Sequence, residues 1–500
     1  MWLPEILARN RQQRAGSAAV IDGDRSLTWA ELDDRSRALA GALRERGVGP
    51  GGHVGVLSRN RLEVLETYFA ASWLGAAFVP LNHALAAEEL TEVTARVGVR
   101  PVLGEPELLD RTGLPATELL PFDDPAYAAA VGGTPPADLP GSGPDDPMAI
   151  LLTSATTGRP KAVVQTQRAM MQMSLGWLAA VGAEPDTVLL NLNPLSHGSI
   201  QVTINYLAAG GTVVLLRSFT PQGALAEIER SRVTHVWLVP QMLRFLLKAG
   251  ALAGTDTSSL REILHGAAPI SAALLREAGG QLSCRFRNVY GMTEMGGPFA
   301  TVSTGELAPD ADSWPGGRGI PGLLVQIQDP AGAALPVREV GEVCVRGPGM
   351  MREYWRDPEA TAAAVRAGWL RTGDLGWMDE RGYVYLVDRA TDMLIRGGQN
   401  VYPAEVERRL LDRPEVADAA VIGVPDEDWG ESPVAYVVLR DGTPAGPATA
   451  TALTRDLRGR LASYKIPTEI IFIDEIPRNG AGKALKRVLR SRHATRPRTR

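Results

Sequence analysis

Residues 151–167 read LLTSATTGRPKAVVQTQ. An apolar run opens into small hydroxyl residues gathered around one glycine, one proline and one lysine. Thr153, Ser154, Thr156, Thr157 and Gly158 lead to Lys161. Backbone N–H groups and hydroxyls in such a loop can surround a polyphosphate, with the lysine supplying positive charge. The spacing is not that of the common P-loop, G-x-x-x-x-G-K-[ST], because Arg159 and Pro160 separate Gly158 from Lys161. The plain alternative is a polar turn with a surface lysine. The segments on either side decide which fold carries the loop.

Upstream, residues 27–47 predict a helix. Thr28 and Glu31 have the spacing of a capping box, Leu32, Leu39 and Leu43 share a face, and Gly47 ends it. HVGVLS at 53–58 reads as a buried strand, LEVLETYFAASWLG as a helix and AAFVPLN as the next strand. The rhythm returns downstream at 187–192, 211–216 and 234–240, the last followed by a helix in QMLRFLLKAG. Strands alternating with helices imply βαβ units and largely parallel sheets, an α/β fold. Residues 121–147, rich in Pro, Gly and Asp, predict an irregular surface connection. From about residue 320 the pattern shifts to short alternating strands, LLVQIQD, GEVCVRG and YVYLVD, a smaller β unit. After residue 389 comes a compact tail of mixed α and β character, which sets a domain boundary at 388–392.

At 500 residues the chain is too long for one ordinary core. A net charge of -5 argues against a general nucleic-acid or acidic-membrane binder. Only 491–500 is strongly basic, a pattern expected of a solvated terminus. Two cysteines, Cys284 and Cys344, exclude a disulfide framework and fit a reducing cytoplasm. The first residues lack an apolar stretch behind a basic one, so no signal peptide is expected, and no apolar run approaches the ~18 residues of a transmembrane helix.

Three further stretches carry chemistry-bearing residues. HGAAPIS at 265–271 and RNVYGMTEMGG at 287–297 each follow a strand-like run. Small residues at Gly266, Ala267 and Ala268 let a planar ring approach the backbone, and Tyr290 offers an aromatic face. Glu294 can hold Mg²⁺, with Thr293 reaching a phosphate oxygen. The alternative is two ordinary turns with Tyr290 in the core. In 369–407, Asp374 sits in a TGD turn, where a carboxylate can accept hydrogen bonds from ribose hydroxyls. Arg389 can add a donor, and the Gly397–Gly398 pair permits close approach of a ligand to the backbone. PRNGAGKALKRVLR at 477–490 places Lys483 after a glycine-rich tip and before a basic helix. Hairpin turns with solvated charges are the plain reading of these last two.

Taken together, the order and spacing of the four stretches resemble the AMP-forming acyl-activating superfamily, over residues 25–490. IRGGQNVYPAEVE is most similar to bacterial acyl-CoA synthetases. The resemblance implies a large N-terminal domain, here 1–389, of two α/β subdomains plus a small β-barrel-like one. A small mobile α+β C-terminal domain, here 390–493, and a basic tail at 494–500 would follow. It implies ATP-dependent activation of a carboxylic acid as acyl-AMP, then thioester formation with coenzyme A. On that pattern residues 153–161 embrace the leaving pyrophosphate. Gly266, Ala267, Ala268, Asn288 and Tyr290 bind adenine, while Asp374 and Arg389 hold the ribose. Thr293 contacts the α-phosphate and Glu294 carries Mg²⁺. Lys483 bridges carboxylate and α-phosphate, and His197 lies beside the acyl carboxylate. Rotation after Arg389 would exchange Lys483 for the Gly398 loop lining the pantetheine tunnel.

Two positions depart from the pattern. Ala155 stands where glycine is usual, and Thr391 stands where an acid or lysine marks the hinge, with Asp392 adjacent. A carrier-protein ligase or an enzyme of one half-reaction is the alternative function, and a nucleotide-binding regulator is a third. Mostly apolar residues at 239–242, 267–270 and 291–295, with no arginine for a second carboxylate, point to a hydrophobic monocarboxylic acid.

Overall fold

The computed structural model describes residues 3–153, 161–196, 198–268, 270, 272–306, 315–389, 392–397, 399–426, 428–478 and 484–496. Its main body is built on two large mixed sheets. The first has nine strands. Its six central strands are parallel, in the order Arg285–Met292, Glu262–Gly266, His235–Leu238, Val188–Asn191, Thr212–Leu215 and Ala18–Asp22. Antiparallel strands Gly297–Ser303 and Arg25–Thr28 flank them. The second sheet has seven strands. Pro147–Leu152, Ala77–Leu81, His53–Leu57, Val102–Gly104 and Leu119–Pro121 are parallel in that order, and Ala162–Thr166 returns antiparallel beside Pro147–Leu152.

The βαβ expectation therefore holds at the centre of both sheets and gives way to hairpins at their edges. One of those hairpins carries the threonine-rich loop. Residues 153–161 join two antiparallel strands, and the N–H of Thr153 donates to the carbonyl of Lys161 at 2.9 Å, closing the neck. A P-loop instead opens directly into a helix, so backbone direction as well as spacing separates the two.

Helices Trp29–Glu45, Leu62–Trp73, Gln167–Val181 and Ser199–Ala208 pack the largest core against the sheets. Trp29, Tyr68, Phe69, Trp177 and Tyr206 are fully buried there. The first of these helices starts as the sequence predicts. Thr28 Oγ1 accepts from the N–H of Glu31 at 3.2 Å, and Glu31 Oε2 accepts from the N–H of Thr28 at 2.8 Å. The connection at 121–147 is more ordered than its composition suggests. Asp124 caps a helix, Pro125–Gly132, with Pro125 at its first position, and Tyr127 and Val131 bury one face. Spacing of four residues was hidden among prolines and glycines.

A third sheet is formed by Leu324–Gln328, Gly341–Arg346, Val365–Arg366, Trp369–Met378 and Val384–Arg389. A fourth, smaller one contains Leu394–Arg396, Gln399–Val401, Val416–Asp426, Gly430–Leu439 and Glu469–Phe472. Helices Pro403–Leu411 and Pro447–Arg458 share its core, and Lys486–Ala494 packs on the other face through Leu489. The third sheet ends at Arg389 and the fourth begins at Leu394. The chain is thus a large N-terminal α/β domain followed by a small α+β one. Among the described residues, no helix is long and apolar enough to cross a membrane, and both cysteine thiols are free.

Candidate active site

Three strand ends bring together the residues expected on the phosphate side. Ala162–Thr166 starts immediately after Lys161, and Glu353–Tyr354 pairs antiparallel with Val163 and Val164. This pairing sets Tyr354 beside the loop neck. The ammonium of Lys161 lies 4.5 Å from the centre of the Tyr354 ring, a cation–π contact. The Tyr354 hydroxyl donates to Glu294 Oε1 at 2.7 Å. Burial, helped by the neighbouring Glu294 carboxylate, pushes the Tyr354 phenol up, so it stays a donor at neutral pH.

The Glu294 turn, Thr293–Met295, is held from two sides. Gln165 Nε2 donates to the carbonyl of Thr293 at 2.9 Å, and the N–H of Met351 donates to the carbonyl of Glu294 at 2.7 Å. Gln165 and Glu294 are buried. A short turn pinned by a core glutamine and by the backbone of Met351 keeps its carboxylate and hydroxyl in fixed positions, as an electrostatic site requires.

The residues expected at the nucleoside meet around Tyr290, on the strand that leads into the Glu294 turn. Tyr290 donates to Asp374 Oδ2 at 2.6 Å, and Arg389 Nε lies 2.6 Å from Asp374 Oδ1. Asp374 and Arg389 are cross-strand partners in the third sheet. These contacts orient the Asp374 carboxylate from two sides. Tyr290 rests its ring against Phe299, with centroids 4.6 Å apart, and burial beside Asp374 pushes its phenol well up. Asn288 spends its amide on the carbonyl of Pro315 at 2.8 Å.

Gly266 ends its strand so close to the neighbouring one that an added Cβ would lie 2.4 Å from the Val289 carbonyl oxygen. Ala267, next in the chain, has φ of 63°, in the left-handed region that costs a non-glycine residue ~1–2 kcal/mol. Ala268 follows at the same turn. Strain at a strand end is typical of backbone shaped to meet a ligand.

Seven expected site residues lie outside the described residues: Ser154, Thr156, Thr157, Gly158, His197, Gly398 and Lys483. Ala155 and Thr391 lie outside them too. Gly397 is described. It has φ of 54°, and a Cβ there would lie 2.7 Å from the indole of Trp429. It lies in the turn between Leu394–Arg396 and Gln399–Val401 of the fourth sheet. At the junction of the third and fourth sheets, Asp388 accepts from the N–H of Ala404 at 2.8 Å. Lys486 pairs with Glu407 at 2.8 Å and Arg490 with Asp392 at 3.0 Å.

Glu294 is the carboxylate the sequence offers for Mg²⁺. Among the described residues, no group of three or more His, Cys, Asp or Glu side chains could hold a metal by itself. Mg²⁺ keeps several waters and needs only one or two carboxylates plus substrate phosphates, a demand that a single carboxylate such as Glu294 can meet. Tyr354, Gln165 and Trp429 escaped the sequence reading. Nothing in REYW, AVVQT or DEDWGE marks a partner so distant in the chain, and only the folded strand pairing supplies one.

Two family models match the chain: "AMP-binding enzyme" over residues 7–355 and "AMP-binding enzyme C-terminal domain" over residues 405–483. A feruloyl-CoA synthase from Amycolatopsis is 38% identical over 489 residues, covering 97% of both chains. A fatty acid–[acyl-carrier-protein] ligase, ScoC, from Streptomyces coeruleorubidus is 36% identical, covering 98% of this chain and 96% of the other. The structure of ATP-bound MatB from Rhodopseudomonas palustris superposes with a TM-score of 0.89 at 32% identity, covering 99% of each chain.

Proposed function

The chain belongs to the AMP-binding enzyme family, and from that premise we infer that it is an acyl-CoA synthetase, an AMP-forming acid–thiol ligase. It activates a hydrophobic carboxylic acid with ATP and passes the acyl group to coenzyme A. One observation carries this reading. Lys161, Tyr354, Glu294 and Thr293 converge from separate strand ends, next to a Tyr290–Asp374–Arg389 group that suits a nucleoside.

In the first half-reaction, a carboxylate oxygen of the acid bonds to the α-phosphorus of ATP, and the bond from that phosphorus to the bridging oxygen breaks. Pyrophosphate leaves. Lys161 and the hydroxyls of Thr153, Ser154, Thr156 and Thr157 stabilise that leaving group, with Gly158 allowing close backbone approach. Thr293 hydrogen-bonds the α-phosphate. Bound Mg²⁺ at Glu294 would neutralise phosphate charge. Asp374 and Arg389 fix the ribose, and the Gly266 strand end faces the adenine. Lys483 draws the two anions together, and His197 lies beside the carboxylate.

In the second half-reaction, the thiol sulfur of coenzyme A bonds to the acyl carbon and the bond to AMP breaks, with the thiol proton passing to solvent. Rotation of the small domain, 390–493, about residues after Arg389 exchanges Lys483 for the Gly397–Gly398 loop. A cytoplasmic setting, where ATP and coenzyme A are both plentiful, suits this chemistry.

The similarity to ScoC favours a second reading, in which the thiol belongs to the phosphopantetheine of an acyl carrier protein. One experiment separates the two. Pyrophosphate release is measured with MgATP and a panel of carboxylic acids, with and without coenzyme A or a phosphopantetheinylated carrier protein, and products are identified by mass. Acyl-CoA as the product supports the synthetase. Acyl-AMP that is consumed only by the carrier protein moves the assignment to the ligase. No acid-dependent release overturns both.

A further inference from the structure

Two polar contacts tie the small domain to the large one, and both bear on the segment that contains Lys483. On the helix Pro240–Lys248 of the large domain, Arg244 Nη1 donates to the carbonyl of Ala417 at 2.8 Å. Ala417 is the second residue of the strand Val416–Asp426 in the small domain. Its neighbour Asp418 pairs with Arg478 at 2.6 Å. At the second contact, Asp388 accepts from the N–H of Ala404 at 2.8 Å. That N–H is one of the orphan donors at the start of the helix Pro403–Leu411, and Tyr402 before it supplies no side-chain cap. A carboxylate of the large domain therefore caps a helix of the small one.

Lys486 joins the second contact. Its side chain is 11% exposed and pairs with Glu407 at 2.8 Å. Burial works against the ammonium, yet Glu407, Asp388 and Asp392 together keep it above its usual value. Arg490, one turn further along the helix Lys486–Ala494, pairs with Asp392 at 3.0 Å. Arg478 and Lys486 stand at the two ends of one narrow neck. Arg478 and Ala484 form an antiparallel bridge, and the N–H of Leu485 donates to the carbonyl of Pro477 at 2.8 Å. Lys483 falls between those limbs in the chain. One limb is thus tied to Arg244 through Asp418 and its neighbour Ala417. The other is tied to Asp388 through Lys486.

Neither Arg244 nor Asp388 can follow the small domain when it turns. Asp388 is fixed in the third sheet opposite Leu375, on the near side of a pivot after Arg389. Arg244 is fixed by its helix, whose Leu243, Leu246 and Leu247 are buried in a core of the large domain. Rotation about the residues after Arg389 therefore breaks both contacts. We propose that Arg244 and Asp388 are positioning residues that clasp the small domain in its adenylating orientation. They act on Lys483 through Ala417, Asp418 and Arg478 on one limb and through Lys486 on the other. The inference rests on the acid-activating reading above and on the role given there to Lys483. Contacts made in one orientation only favour that orientation, and losing them shifts the balance to the other. Weakening the clasp therefore slows acyl-AMP formation and spares the thiol step, for which the clasp has to open.

The test runs the two half-reactions separately on the full chain, comparing Arg244→Ala and Asp388→Ala with wild type. The first assay follows pyrophosphate release with MgATP and the acid of the panel above that the wild type uses best. The second supplies the chemically prepared adenylate of that acid and follows thioester formation with the thiol the wild type accepts, coenzyme A or carrier protein. Pyrophosphate release is expected to fall about tenfold in each variant, the worth of one charge-assisted hydrogen bond. Thioester formation from the adenylate should match or exceed wild type. Alanine is a good helix former, so Arg244→Ala carries the test by itself if Asp388→Ala does not fold. Equal slowing of both halves shows that the contacts serve the fold alone and overturns the clasp. So does an unchanged rate in both halves, or a loss confined to the thiol step. Absence of acid-dependent pyrophosphate release from the wild type overturns the underlying reading together with this one.

Discussion

The Tyr354 hydroxyl donates to Glu294 Oε1 at 2.7 Å, while the same ring carries the Lys161 ammonium on its face. Tyr354 thus couples the cation of the 153–161 loop to the carboxylate proposed for Mg²⁺. Tyr354→Phe keeps the cation–π contact and removes the hydrogen bond. The expected result is about a tenfold fall in kcat/KM for MgATP, with a higher Mg²⁺ requirement. Pyrophosphate release measured across a Mg²⁺ series checks it, and an unchanged Mg²⁺ requirement would remove Tyr354 from the site.

Glu294→Gln is the sharper change. The amide preserves an acceptor for Tyr354 and loses the negative charge. Acyl-AMP formation should fall by ~100-fold or more, with thermal stability nearly unchanged. A large loss of stability with modest loss of rate would show that Glu294 serves the fold instead.

Asp374→Asn tests the nucleoside side. Tyr290 and Arg389 both lose a charged partner, and any ribose loses a strong acceptor. The KM for ATP should rise ~10–100-fold while the KM for the acid moves little. Because Arg389 is half-exposed, the stability cost should stay near ~1 kcal/mol. Parallel changes in both KM values would argue that the variant disturbs the whole cleft.

Much of this arrangement is legible in sequence because it is local. Thr28 and Glu31 are three residues apart, and their capping box can be read directly. Tyr290, Thr293 and Glu294 share one strand and its turn. Asp374 and Arg389 flank a hairpin, so their pairing follows from a nearby reversal of the chain. What escaped is long-range. Glu294 and Tyr354 meet only because Glu353–Tyr354 pairs with Ala162–Thr166, and two-residue strands leave no periodicity to detect. Tyr127 and Val131 were hidden by flanking prolines and glycines.

Gly266→Ala asks whether the close strand approach is structural as well as functional. The new methyl would meet the Val289 carbonyl at 2.4 Å, which is backbone and has little freedom to yield. A loss of ~1–3 kcal/mol is expected in denaturant unfolding, with ATP affinity falling in the same variant. Full stability would mean that the two strands separate more easily than their register implies.

Asp388 sits at the turn from the third sheet to the fourth, and burial pushes its carboxyl up to about 6, against the pull of Lys486 and the N–H groups of Ala404 and Arg389. The ordinary value for that group is 3.8. Between these values the folded chain binds a proton that the unfolded chain has released. Stability from this group is therefore fully present below about pH 4, declines as pH rises through 6, and is level above that. Asp388→Asn keeps an acceptor for Ala404 and removes the titration. The stability of the variant relative to wild type should rise between pH 4 and pH 6, by about 3 kcal/mol, and then stay constant. Trp429 is the one tryptophan after residue 389, so single-tryptophan fluorescence follows the small domain once the others are replaced. If the difference between the two proteins is flat across that range, Asp388 titrates normally. The junction would then be more open to water than its packing against Ala404 and Lys486 implies.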